Sequence, residues 1–135
     1  MIVGCGIDIV AVKRLARWQH FSDERLGRIF TSAEVKALRT EKEWPQQRAA
    51  AYFAAKEAFY KALSSALVAS CLLKKEVFFI SICPLVGIHK NEWGIPEMRA
   101  DWEKISILSG FKCEWKIHCS YAHEQEYVVA QVILS

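Results

Sequence analysis

The chain has 135 residues, of which 53% are hydrophobic and 24% charged, with a formal net charge of +3. That is the size and balance of one globular domain able to bury its own core, and it excludes intrinsic disorder. No run of ~18 apolar residues fits a membrane span. The start carries no basic segment ahead of its apolar stretch, so the expected location is cytoplasmic.

Met1–Val10 predicts a strand. Val3, Ile7 and Ile9 are β-branched, and Gly4 and Gly6 leave room for another backbone to approach. Residues 11–20 predict a short helix, with Ala11, Val12, Leu15 and Trp18 on one side and Lys13, Arg14 and Arg17 on the other. Thr31-x-x-Glu34 is a capping box opening a second helix, Ser32 to about Arg39. Pro45 suits a first helical turn, and Gln46–Ala69 is rich in alanine without glycine or proline, which predicts a long, closely packed helix. Lys74-Lys75 breaks that pattern. Val77–Ile82 reads as a strand closed by Pro84 and Gly87, Asn91–Gly94 as a turn, Pro96–Ala100 as a strand and Trp102–Leu108 as a helix stopped at Gly110. Cys113–Tyr121 alternates like a strand, Ala122–Gln125 reads as a turn, and Tyr127–Leu134 is a last strand apolar enough to be covered on both faces. The expected class is α+β, one unit over residues 1–135, an antiparallel sheet packed on the alanine-rich helix.

The cysteines number five, with no CxxC pair, and read as reduced and mostly buried. Residues 1–61 hold eleven Lys/Arg against seven Asp/Glu, a basic excess suited to an acidic or phosphate-bearing partner. No nucleic-acid motif accompanies it, so a nucleic-acid-binding module is the weaker class; salt-dependent co-elution with nucleic acid would discriminate the two.

Three features carry chemistry. Asp8 ends an apolar strand, where a carboxylate needs a partner: a helix cap, a salt bridge or a metal. Glu57 and Lys61, four apart, form either a surface ion pair or part of a site. Asp8 and Glu57 together suit Mg²⁺, which takes one or two carboxylates plus phosphates and water. Ser120-x-x-His123 has no nucleophile elbow, which argues against a hydrolase triad, and a phosphate-binding role is the alternative to a structural one.

Gly6-Ile7-Asp8-Ile9-Val10, Arg28-Ile29-Phe30-Thr31-x-x-Glu34, Phe53-Ala54-Ala55-Lys56-Glu57-Ala58-Phe59-x-Lys61-Ala62, and Ser120-x-x-His123 before Glu126-Tyr127-x-x-Ala130 occur in this order. Together they resemble the short, single-unit type of 4′-phosphopantetheinyl transferase, the holo-[acyl-carrier-protein] synthase family. The resemblance spans essentially the whole chain. It implies transfer of 4′-phosphopantetheine from coenzyme A to a serine of an acyl carrier protein, releasing adenosine 3′,5′-bisphosphate, in fatty acid and lipid biosynthesis. Asp8 and Glu57 match the Mg²⁺ ligands and Lys61 a phosphate contact. Ser64, Ser120 and His123 fall in the coenzyme-binding segments. Lys13, Arg14, Arg17 and Arg28 would meet the carrier. A homotrimer with shared active sites is implied, and the base for the carrier serine is either Glu57 or a metal-activated hydroxide. Four positions depart from the family pattern: Tyr52 replaces a customary arginine, Ser64-Ser65-Ala66 a Gly-Thr-Gly turn, Ile95 a lysine, and Ala122 a Ser/Thr. A paralogue that keeps the fold as a carrier or coenzyme A scaffold is the alternative.

Overall fold

In the computed structural model, residues 1–72 and 75–135 are described. Lys74, half of the expected helix-breaking pair, lies outside them. Strand β1 (Gly4–Ala11) leads into a 3-10 helix, Val12–His20, and then α1 (Asp23–Leu26), α2 (Ser32–Arg39) and α3 (Gln46–Ala69). A short α4 (Phe79–Ile82) and a 3-10 turn, Cys83–Leu85, precede the hairpin β2 (Val86–Lys90) and β3 (Pro96–Ala100). Helix α5 (Trp102–Ser109), β4 (Ile117–His123) and β5 (Tyr127–Leu134) complete the chain.

The α+β expectation holds. The main sheet is antiparallel in the order β1-β5-β4, with β2 and β3 forming a separate ribbon. Helix α3 lies across the main sheet, and its alanines 49, 50, 51, 54, 55, 58, 62 and 66 are buried. The contact is close because two glycines face it. A Cβ on Gly6 would stand 2.0 Å from the Ala58 carbonyl oxygen, and one on Gly4 2.2 Å from that of Ala62. Small residues on both sides let strand and helix backbones nearly touch.

The first helix is of the 3-10 kind. Its apolar residues Val12, Leu15 and Trp18 fall every third position, the period at which 3-10 side chains eclipse. Val12 and Leu15 are buried, Trp18 packs on Phe21, Phe30 and Phe53, and Lys13, Arg14 and Arg17 point to solvent. The capping box is complete: Glu34 N–H donates to Thr31 Oγ1, and Thr31 N–H donates to Glu34 Oε2.

Four expectations need correction. Val77–Ile82 is not a strand. Its apolar side chains pack instead of pairing: Phe79 meets Phe53 and Tyr60 edge-on, Ile82 is buried, and the chain turns as the carbonyls of Cys83 and Val86 aim inward at Lys56. The strand falls later, at β2. Strand β4 begins at Ile117 and runs through Ala122 and His123, which were expected in a turn. Strand β5 is covered on one face only within this chain; Tyr127 and Val129 are exposed on the other. All five cysteines are unpaired, but Cys5 and Cys71 are exposed. Burial pushes the Cys83 and Cys119 thiols up to about 11.

Candidate active site

Strand β1 directs Asp8 toward α3, the side its neighbours Gly6 and Val10 also face. There it meets Glu57 and Lys61. Lys61 Nζ donates to Asp8 Oδ1 at 2.8 Å and to the Ile7 carbonyl at 3.0 Å. So Lys61 bridges to β1 rather than closing an ion pair with Glu57, and Asp8 does not cap the following helix, whose N-terminus takes no side-chain hydrogen bond. Asp8 is 9% exposed and Lys61 51% exposed. Asp8 Oδ2 is buried without a hydrogen-bond partner.

Glu57 is half-buried. Burial raises its pKa, and the neighbouring Asp8 carboxylate raises it further; Lys61 and Arg14 pull the other way. Two carboxylates are thus held together, with Lys61 on one oxygen of Asp8 and the other oxygen unpartnered. Arg14 stands beside them with its guanidinium 5.0 Å from the Phe53 ring. Ser64, one turn beyond Lys61, lies on the same stripe of α3 and is half-buried.

The remaining expected residues lie elsewhere. Ser120 and His123 are three apart in a strand, so they fall on opposite faces. Ser120 pairs through Gln131 with Ile7 and is exposed on the outer face of the sheet. His123 lines an open cavity of ≈ 690 Å³ near the start of α3, with Arg48, Tyr52, His89, Lys90 and Tyr121 among its walls. Arg48 and Glu57 are nine residues apart, two and a half turns at 3.6 residues each. They therefore point to opposite sides of α3, about 14 Å apart along its axis. Within one chain the carboxylates and the His123 cavity lie apart, on opposite sides of α3.

Sequence reasoning missed a third constellation. Lys56, buried, donates from Nζ to Glu34 Oε2 at 2.8 Å, to the Cys83 carbonyl at 2.8 Å and to the Val86 carbonyl. Glu34 Oε1 accepts the Ile88 N–H at 2.8 Å. The signal was present: a lysine set among buried alanines needs a partner.

Comparison with known proteins places the chain as a whole. A sequence profile of the 4′-phosphopantetheinyl transferase superfamily matches residues 4–132. The chain belongs to that superfamily. A holo-[acyl-carrier-protein] synthase of Caldicellulosiruptor bescii is 46% identical over 98% of both chains. A crystal structure of a holo-(acyl-carrier-protein) synthase from Bacillus anthracis, in complex with CoA (3′,5′-ADP), superposes with a TM-score of 0.68 at 30% identity, over 99% of this chain and 96% of that one. The holo-[acyl-carrier-protein] synthase of Neisseria meningitidis gives a TM-score of 0.71 at 29% identity, over 100% and 99%.

Proposed function

We propose that this chain, as a single phosphopantetheinyl transferase domain, moves 4′-phosphopantetheine from coenzyme A to a serine hydroxyl of an apo acyl carrier protein and releases adenosine 3′,5′-bisphosphate. The observation that carries the reading is the Asp8–Glu57 pair: two carboxylates converging from β1 and α3, one buried oxygen of Asp8 unpartnered, and Lys61 beside them.

Those residues fit Mg²⁺. The described residues hold no group of three or more potential protein ligands, and two carboxylates suit an ion that completes its shell with water and substrate phosphate. Bound by Asp8 and Glu57, Mg²⁺ would offset the charge that builds on the departing phosphate. Lys61 adds an ammonium for the pyrophosphate: it is half exposed, and two of its three N–H donors are held by β1, which leaves the third for a ligand. The carrier serine is a poor nucleophile and must lose its proton as the phosphorus–oxygen bond forms. Glu57 is the carboxylate at hand to accept that proton. Ser64 and His123 then serve coenzyme A at their separate half-sites, and Ser120 does so from the outer face.

The separation of the half-sites supports sharing between copies. One coenzyme A cannot set its pyrophosphate on Lys61 and its nucleotide end in the cavity across α3 of the same chain. The outer face of the sheet offers the contact, with Ile7 59%, Ile9 63% and Tyr127 50% exposed. The resemblance implies a homotrimer with active sites between subunits, and this separation supports sharing between copies. Carrier docking falls to Lys13, Arg14 and Arg17 on the outward side of the 3-10 helix, and to exposed Arg28. An acidic carrier, rather than nucleic acid, is the partner those charges serve. No helix among the described residues is long and apolar enough to cross a membrane, and the proposed location is the cytoplasm.

The test is direct. The protein is incubated with coenzyme A, Mg²⁺ and an apo carrier, and the carrier is weighed by mass spectrometry. A gain of one phosphopantetheine is expected. An unchanged mass alongside coenzyme A binding would replace transfer with the scaffold reading.

A further inference from the structure

A 3-10 helix longer than three or four residues is uncommon, because its hydrogen bonds are poorly aligned. Here the form extends over nine residues, Val12–His20, so contacts from outside must hold it. The buried row of Val12, Leu15 and Trp18 is one such hold. Arg39, the last residue of α2, is another. Its guanidinium donates from Nη1 to the Gln19 carbonyl at 2.8 Å, from Nη2 to the Phe21 carbonyl and from Nε to Asp23 Oδ1 at 3.0 Å. A helix end leaves carbonyls without partners, and this one planar fork takes two of them. Trp44, whose ring lies 5.4 Å from the same guanidinium, donates from Nε1 to the Leu15 carbonyl at 2.9 Å.

The form decides what the helix displays. In a 3-10 helix residues three apart eclipse one another, ~6 Å apart along the axis. Arg14, Arg17 and His20 therefore stand in one straight row, and all three are exposed. In an α-helix every third residue falls about 60° short of a full turn, so the same row would fan through ~120° from Arg14 to His20. A straight row meets one flat partner surface with all of its donors; a fanned row does not. The ion pair to Asp23 is not what makes Arg39 matter. The Asp23 side chain is 71% exposed, and such a pair contributes little. The two carbonyl contacts are the ones that fix the helix end.

We infer that Arg39 is a positioning residue for carrier docking: by gripping the carbonyls of Gln19 and Phe21 it keeps residues 12–20 in the 3-10 form that aligns Arg14, Arg17 and His20 toward an acidic carrier. The inference rests on the transfer reading above. The experiment measures apo carrier binding by calorimetry, and transfer kinetics with carrier varied at several salt concentrations, for wild type, Arg39→Met, Arg39→Lys and Asp23→Asn. Arg39→Met is expected to weaken carrier binding and raise the carrier KM about fivefold or more, with a flatter salt dependence, because aligned charges act mainly on association. Its kcat and its coenzyme A affinity are expected to stay close to wild type. Arg39→Lys keeps the charge but not the fork, so it is expected to share the defect. Asp23→Asn, which breaks the ion pair and keeps both carbonyl contacts, is expected to match wild type. Full recovery in Arg39→Lys would make residue 39 a direct charge contact for the carrier and overturn the inference. So would an equal defect in Asp23→Asn, or an unchanged carrier KM and salt dependence in Arg39→Met. If Arg39→Met does not fold, the same comparison is made with Arg39→Lys, where wild-type values overturn the inference. Failure of the transfer reading looks different: wild type would bind carrier and leave its mass unchanged, and the binding comparison among the variants would still decide the role of Arg39. A wild type that binds no carrier would overturn both.

Discussion

Lys56 and Glu57 are consecutive residues, yet they live in opposite electrostatic worlds. The Lys56 ammonium has three N–H donors and three acceptors: Glu34 and the carbonyls of Cys83 and Val86. Its pKa is lowered by burial, and Glu34 pulls it back up. Glu34 in turn accepts from Thr31 N–H and Ile88 N–H, so both charges are sealed and satisfied. Glu57 looks the other way, at a second carboxylate one of whose oxygens has no partner. The first pair ties α2, α3 and the entry to β2 together. The second keeps one Asp8 oxygen unpartnered, next to a lysine half in solvent. Where charge is fully matched it builds scaffold; where it is under-matched, it is poised for a ligand.

The largest expected effect comes from unsealing the first pair. Lys56→Met leaves Glu34 buried without its counter-charge, a loss of ~3–5 kcal/mol in urea unfolding. A cost below ~1 kcal/mol would show that the pair is not the scaffold described. Next comes the floor under the second pair. Gly6→Ala drives a Cβ into the Ala58 carbonyl, and overpacking of this kind costs ~1–3 kcal/mol. It should also abolish transfer, because Asp8 is two residues further along the displaced strand; full activity would mean that β1 does not set the carboxylate.

The smallest effect has the opposite sign. Glu57→Gln removes like-charge repulsion, so it should abolish transfer and yet raise Tm at pH 8. The raised pKa means that ionised Glu57 costs native stability above that pKa. As pH falls through it, wild type takes up the proton, the cost disappears and the gap in Tm closes. Calorimetry across that range checks this, and a lower Tm for Glu57→Gln at pH 8 would end the contrast between the two pairs.

Much of this was readable in the sequence wherever one local rule decides the outcome. The Thr31/Glu34 box, the uninterrupted alanine-rich helix and the glycines of β1 each announce themselves. Asp8, Glu57 and Lys61 stand out together in the sequence, and the fold brings them together. What failed to show was decided at long range. Val77–Ile82 has strand-forming residues but no strand beside it, and the carbonyls that Lys56 demands from Cys83 and Val86 curl the chain instead. The role of Glu34 as partner to Lys56 was hidden behind its local role as a cap. The opposed directions of Ser120 and His123 followed from their spacing, but only once β4 was seen to include both.

The two glycines of β1 also act as a register lock. Side chains in a strand alternate, so a slip of one residue would turn Cys5 and Ile7 toward α3, where a Cβ would collide with helix carbonyls at about 2 Å. No neighbouring register is open to the strand. Ile7 and Ile9 are therefore committed outward, and Asp8 is committed inward. A pair of absent Cβ atoms, four and two residues before Asp8, decides on which side of the sheet the carboxylate appears.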